Sequence, residues 1–462
     1  MKKRIIAAIM ATATFSLVAC NGGNTSMSDG SKDNKNRGYN EIATLEDYES
    51  EKGKKKIDIW AYYPDDTENG MKLLKEADVD SILMTRDGEY ISTNPAMVKK
   101  IIERAARYGV NTMPYTGHIG LDSDDCISAA WLKEYDNIDG LYMYDEPYMD
   151  MLPKLGARVP YFMKNYPGKK FVVALHPATV VDHPTWTSDA DYEEYVGTYC
   201  SKVLDKLDDD FEKILMADCY PIVMDRGQKV VKPSHLYNLA VLAQNAKDHN
   251  AKLNLAIQVL DHITYTVPTL EDIRFQVNSL LAFGFDGYTL YTFDTRPSTP
   301  YEDNRLGMVK DGEKTEIYDR AKQVNDEIRS FDHVYSCFDW KGVIPVVVNK
   351  NEERMNWGSL TSYEGDIVLS VADTKVLSDI TTSGNTLCGV FYDNSGNEAF
   401  TIMNYANPVN GKTDEVTLKF DDCNKALVYH NGKCSSVDIS DNTLTITLGN
   451  SEAAFVIPYK NK

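Results

Sequence analysis

The sequence predicts an α/β chain: a closed (β/α)8 barrel followed by an all-β sandwich. Short apolar runs with strand character recur eight times from Ile57 onward, with helical segments between them. Such β-then-α alternation builds a parallel sheet whose helices cover its outer face. No glycine-rich phosphate turn follows the first run, which sets aside an open, doubly wound nucleotide-binding sheet. From about Gly342 the pattern changes to short alternating segments divided by turn residues, the signature of a β-sandwich.

The chain opens with Lys2, Lys3 and Arg4, an apolar run from Ile5 to Ala19, and Cys20. The run is too short and wrongly flanked to span a bilayer, and it reads as a secretory leader over residues 1–20. Leu17-Val18-Ala19-Cys20 resembles the lipobox of bacterial lipoproteins, which implies lipidation of Cys20 and a place in the cell envelope, periplasmic or surface-exposed. Residues 21–56 begin with a Gly-, Ser-, Asn- and Asp-rich stretch and read as a flexible tether. The only membrane attachment expected is the lipid.

Strands are predicted at Ile57–Tyr62, Val79–Met84, Asn111–Tyr115, Ile138–Tyr144, Lys170–His176, Ile214–Tyr220, Lys252–Val259 and Phe285–Phe293, within a barrel spanning 57–335. Pro95–Tyr108 and Ser234–Asn250 read as intervening helices. Ile317, Ala321, Val324, Ile328 and Phe331 repeat at helical spacing within Glu313–Phe331, the expected closing helix. Side chains alternate along a strand, and chemistry in parallel barrels gathers at the C-terminal strand ends. In Ile138–Pro147 (IDGLYMYDEP), Gly140, Tyr142, Tyr144 and Glu146 share one face, Leu141, Met143 and Asp145 the other. Leu and Met suit the helix-covered side, so Glu146 is expected in the mouth. An Asp-Glu pair also caps helices, so the neighbouring strands decide. The same parity places Asp218 and Tyr220 inward on the sixth strand, His176 on the fifth and Gln258 on the seventh. Trp60 and Tyr62 come from the first, Tyr115 from the third, and Tyr291 from the eighth with Asp294 just beyond. Carboxylates and amides among aromatic rings suit a sugar: rings take its C–H faces and polar groups hold its hydroxyls.

With this layout the chain resembles the TIM-barrel glycoside hydrolases. In the clan with glutamates on strands four and seven, strand four ends in Asn-Glu, often before proline. Asp145-Glu146-Pro147 stands at the matching place and implies Glu146 as proton donor. Asp139-Gly140 with Glu146 also keeps the chitinase-type frame, although Tyr144 replaces the aspartate two residues before the acid. Strand seven offers Gln258 where the clan has its nucleophile, and Asp261 lies three residues on. The second carboxylate is then Asp218, with Asp294 as an alternative. Burial beside another acid is expected to keep Glu146 protonated. Trp60, Tyr62, Tyr115, Tyr144, Asp145, His176, Tyr220, Gln258 and Tyr291 are the candidate substrate contacts. Two other readings stay open: a substrate-assisted N-acetylhexosaminidase-type mechanism with Tyr220 and Gln258 positioning the acetamide, and a barrel that binds glycan without cutting it.

The sandwich is expected over 343–462, with strands at Asp366–Val371, Thr386–Tyr392, Ala399–Tyr405, Glu415–Phe420, Lys425–His430, Thr443–Leu448 and Ala453–Pro458. A formal net charge of −20 argues against nucleic acid or an anionic membrane surface as partner. An oligosaccharide or polysaccharide is the expected partner. No metal-ligand spacing, nucleotide loop or CxxC pair is present, so no cofactor is implied. Cys423 and Cys434 are spaced to close a small loop by a disulfide.

Overall fold

The computed structural model describes residues 48–53, 56–84, 91, 94–116, 130–178, 189–262, 265–296, 304–349, 357–409 and 411–460. The expected leader, Cys20, Cys126 and most of the expected tether lie outside them. Within the described end of the tether, Tyr48 is buried and its hydroxyl donates to Asp393 Oδ2 at 3.2 Å. Among the described residues, no helix is long and apolar enough to cross a membrane.

The barrel strands are β1 (Asp58–Tyr62), β2 (Ser81–Met84), β3 (Asn111–Pro114), β4 (Gly140–Asp145), β5 (Lys170–Leu175), β6 (Ile214–Asp218), β7 (Lys252–Gln258) and β8 (Gly287–Tyr291). They form one parallel sheet in the order β3-β2-β1-β8-β7-β6-β5-β4. Bridges Thr112–Ile138 and Tyr115–Tyr142 join its two ends, so the sheet closes. Around it run α1 (Glu68–Glu76), α2 (Pro95–Arg107), α3 (Leu152–Asn165), α4 (Asp189–Lys202), α5 (His235–Asp248), α6 (Leu270–Ala282) and α7 (Glu316–Arg329).

Local chemistry explains these boundaries. Asn94 caps α2 by accepting from the Met97 N–H, and Pro95 fills a first-turn position where no N–H is needed. Val98, Ile101, Ile102 and Ala105 then bury one stripe against the sheet. Thr269 and Asp272 form a reciprocal capping box at α6. Ile317, Ala321, Val324 and Ile328 of α7 face the core as expected, whereas Phe331 lies beyond the helix and stacks on Phe455 at 5.9 Å. At the N-terminal end of the barrel, Lys170 reaches Asp139 at 3.0 Å and Asp58 at 3.2 Å.

The second layer contains β9 (Phe338–Val346), β10 (Leu377–Thr382), β11 (Thr386–Asp393), β12 (Glu398–Asn404), β13 (Asp414–Phe420), β14 (Lys425–His430), β15 (Lys433–Asp438), β16 (Thr443–Leu448) and β17 (Ala453–Tyr459). One antiparallel sheet runs β9-β11-β12-β17-β14-β15 and the other β10-β13-β16, with Ile344, Val390, Phe400, Leu418 and Phe420 packed between them. Three expectations fail here. Asp366–Val371 is not a strand: Val368 makes a single bridge to Val343, because the chain turns into a short 3-10 segment at Val371. The first strand starts at Phe338, ahead of Gly342. Cys423 and Cys434 are both free thiols, Cys423 buried and Cys434 exposed.

The larger sheet packs its other face on the barrel. Leu387, Phe391, Met403, Tyr405 and Phe455 join the core that lines the barrel helices. Arg274 on α6 ties Glu327 on α7 at 3.0 Å to Glu452 at 3.4 Å. A β-carbon on Gly389 would lie 2.5 Å from the Ala282 carbonyl oxygen. Gly389→Ala is therefore expected to destabilise the chain by about 1–3 kcal/mol through overpacking, read as a lower chemical-denaturation midpoint.

Candidate active site

The geometry of the barrel mouth follows from one irregularity in β4. Its register with β5 pairs Leu141 with Phe171 and Tyr142 with Val172, but then Tyr144 with Val173 and Asp145 with Ala174. Met143 is an extra residue in a β-bulge, and an extra residue inverts the parity of everything after it. Leu141 and Met143 both stay in the outer core while Tyr142 fills the barrel interior. Tyr144, expected in the mouth, packs instead against that outer core. Asp145, expected on the outer face, turns inward, where the Tyr142 hydroxyl donates to its Oδ1 at 2.5 Å. Glu146 adopts a left-handed backbone (φ 50°) with its N–H held by the Ala174 carbonyl at 2.9 Å. Non-glycine residues in that region carry strain and concentrate at functional sites.

Glu146 therefore stands at the rim. Its side chain is 43% exposed, and its Oε1 lies 3.3 Å from His176 Nδ1 at the end of β5. The acids that burial acts on are its neighbours. Asp145 is pushed up to about 6, first by desolvation and then by the Glu146 charge; the Tyr142 hydrogen bond, His176 and Arg296 pull the other way. On β6, Asp218 points inward as expected. Burial, then Glu146 and Asp145, hold its carboxyl well above the usual range. Asp218 Oδ2 accepts from the Tyr220 hydroxyl at 2.9 Å, and its Oδ1 is buried without a hydrogen-bond partner. Tyr62, Tyr142 and Tyr220 all have hydroxyls pushed well above their ordinary value, chiefly by burial, so they remain donors.

Aromatic rings wall the bowl. Tyr62 and Tyr142 share a hydroxyl contact at 2.9 Å, and Tyr115 lies 5.0 Å from Tyr142, centroid to centroid. Tyr220 stacks on Tyr291 at 5.1 Å. Trp60 is absent from the rim. It is 1% exposed, with Lys170 Nζ 5.5 Å from its ring, so it fills the lower barrel. Gln258 faces inward but is tied to its own loop, donating to Thr266 O at 3.3 Å and Leu260 O at 3.4 Å. Asp261 pairs with Leu306 on a small antiparallel ladder, 3.8 Å from Arg305. Asp294 lies just beyond β8 with its N–H on the Tyr63 carbonyl at 2.9 Å. It is not among the principal charges acting on Asp145 or Asp218. Tyr63, Tyr148, Lys232, Tyr265 and Arg296 also border the mouth and were not singled out. All of them lie beyond the strand ends, where alternation gives no direction.

Removing the Tyr142 hydrogen bond takes away a contact that favours ionised Asp145. Tyr142→Phe should move the Asp145 titration upward by about 1 pH unit, read by carboxyl carbon NMR; a downward move would contradict this geometry.

No protein-family model matches the chain, and no curated protein matches its sequence. Among solved structures it is similar to a family 39 glycoside hydrolase from Bacteroides cellulosilyticus WH2 (TM-score 0.48, 11% identity, 87% of this chain and 81% of that one). It is also similar to a beta-galactosidase from Bacillus circulans sp. alkalophilus (TM-score 0.45, 8% identity, 88% and 100%). A third is a family 5 mannosidase from Rhizomucor miehei (TM-score 0.40, 12% identity, 61% and 95%). Likeness at this level assigns no activity to the chain.

Proposed function

We propose that the chain is a glycoside hydrolase with Glu146 as proton donor. The observation that carries this reading is the convergence of Asp145, Glu146 and Asp218 in one tyrosine-walled bowl at the C-terminal ends of the strands. Glycosidic cleavage needs a carboxyl that protonates the departing oxygen and a group that stabilises or attacks the anomeric carbon. Glu146 is the acid in contact with solvent, so it can reach a bond at the rim and regain its proton from water. A glycan laid across it excludes that water from the bond being broken.

Access also bears on the nucleophile. Asp218 Oδ1 is closed off, strand seven carries Gln258, and the two accessible acids leave the same strand end. Adjacent carboxyls on one strand are poorly placed to flank a bond from opposite faces. They suit a substrate that brings its own nucleophile, a 2-acetamido group. Its oxygen closes on the anomeric carbon as that carbon's bond to the leaving oxygen breaks and Glu146 supplies the proton. Asp145, ionised above about 6, accepts from the acetamide N–H. The Glu146 carboxylate then takes a proton from the water that opens the ring.

The leader and the motif around Cys20 support a substrate outside the cytoplasm, with the chain held at the cell envelope by lipid. Reducing-sugar release from matched neutral and 2-acetamido glycans tests the assignment. Release confined to the 2-acetamido members is expected. Release equal from both would remove the substrate's nucleophile from the mechanism, and binding without release would leave a glycan-binding barrel.

A further inference from the structure

Several half-buried lysines in this acidic chain pair with carboxylates. Lys170 has Asp58 and Asp139, Lys247 has Asp366, and Lys229 has Asp272. Lys232 is different. It follows the antiparallel hairpin Ile222–Asp225 and Gln228–Val231 that rises from the end of β6, and its N–H returns to the Pro221 carbonyl at 2.7 Å. It is half-buried, and it makes no ion pair with a carboxylate among the described residues. Burial depresses its ammonium, and the neighbouring Cys219 is held as a neutral thiol by its own burial. Desolvating a cation without a counter-charge is costly.

Its surroundings place that charge on the bowl. Lys232 Nζ lies 5.6 Å from the Tyr265 ring centroid. Tyr265 is 5.7 Å from Tyr220, and Tyr220 stacks on Tyr291. Tyr291 is 6.0 Å from Tyr63, over which the Arg296 guanidinium sits at 4.1 Å. Four rings thus run across the β6–β8 and β1 side of the mouth with a cation at each end. The three acids stand on strands four and six. A Lys–Tyr cation–π contact alone offsets only part of the desolvation of Lys232.

We propose that this aromatic row, with Lys232 as its principal cation, is a subsite for an anionic substituent on the glycan, a carboxylate or a sulfate ester. This assignment rests on the bowl being a glycan site. The sugar face lies on Tyr220 and Tyr291, and the anion supplies the counter-charge that Lys232 lacks among the described residues. The overall charge of −20 does not oppose this at short range, because charges beyond about 8 Å are screened at physiological salt.

The test uses the full chain carrying Glu146→Gln, so that bound glycan survives. Calorimetry compares three forms of one 2-acetamido disaccharide: neutral, uronate-bearing and O-sulfated. One anionic form is expected to bind about 10-fold or more tightly than the neutral form, the strength of a charge-assisted contact, and which form does so names the source. Adding Lys232→Met should bring that ratio close to 1, whereas Lys232→Arg should keep most of it, which separates lost charge from lost folding. Equal binding of all three forms, or a ratio that Lys232→Met leaves intact, overturns the proposal. Hydrolysis by the unmutated chain is scored separately. Anion preference without hydrolysis would sink the hydrolase reading alone, and hydrolysis without anion preference would sink this one alone.

Discussion

Glu146→Gln is expected to lower glycan hydrolysis by about 100- to 10,000-fold, the usual contribution of a positioned general acid. Dissociation constants should change by no more than a few-fold. Glutamine has the same shape, the side chain is 43% exposed, and its ion-pair contact among the described residues is His176 Nδ1 at 3.3 Å, so neither folding nor the tyrosine walls depend on the charge. The loss should fall mainly on kcat, because a proton donor acts in the transition state. It should also shrink for substrates whose leaving group departs without protonation, such as an activated aryl glycoside. Equal losses for aryl and sugar leaving groups would show that Glu146 holds substrate and donates nothing.

Asp145→Asn carries the second large effect, with opposite signs for activity and stability. In the proposed mechanism the ionised carboxylate accepts from the acetamide, so hydrolysis by the intact chain should rise as pH passes about 6 and fall by about 100-fold or more in the variant. The stability sign follows from proton binding. The folded-state value of about 6 lies above the ordinary aspartate value of about 4, so between those values the native chain binds more protons than the unfolded one. Stability contributed by this group is present below about 4 and is lost as pH rises through about 6. The separation corresponds to roughly 1–3 kcal/mol. An amide keeps the hydrogen bond from Tyr142 without that cost, so the variant should be the more stable protein at pH 7.5 by that amount. A variant less stable than the parent at pH 7.5 would show that Asp145 is not desolvated in the way the bulge implies.

The fold was legible because its signals are repeated. Eight apolar runs, helix stripes such as Val98-Ile101-Ile102-Ala105, and the switch to short alternating strands each reappear in the structure within a few residues. Asp218 and His176 were legible because β5 and β6 run without irregularity, so alternation holds to their ends. Strand four was misread at Tyr144 and Asp145 for a physical reason. A β-bulge at Met143 leaves no mark in a run that is apolar and aromatic on both sides, yet it exchanges the directions of the next two residues. Trp60 was assigned the correct face but the wrong depth, since parity says nothing of height in the barrel. Lys232 and Arg296 were missed because they belong to loops whose placement comes from tertiary packing alone.

The central claim is that the β4 bulge sends Asp145 into a tyrosine bowl and leaves Glu146 at its edge, against the bond that breaks. A crystal structure of the Glu146→Gln chain with a bound 2-acetamido oligosaccharide tests it most directly. The account predicts the glycosidic oxygen within hydrogen-bond distance of the residue 146 amide, the acetamide N–H on Asp145, and the sugar face on Tyr220 and Tyr291. A glycan seated on the sandwich, or one in the bowl with its glycosidic oxygen directed away from residue 146, would contradict it.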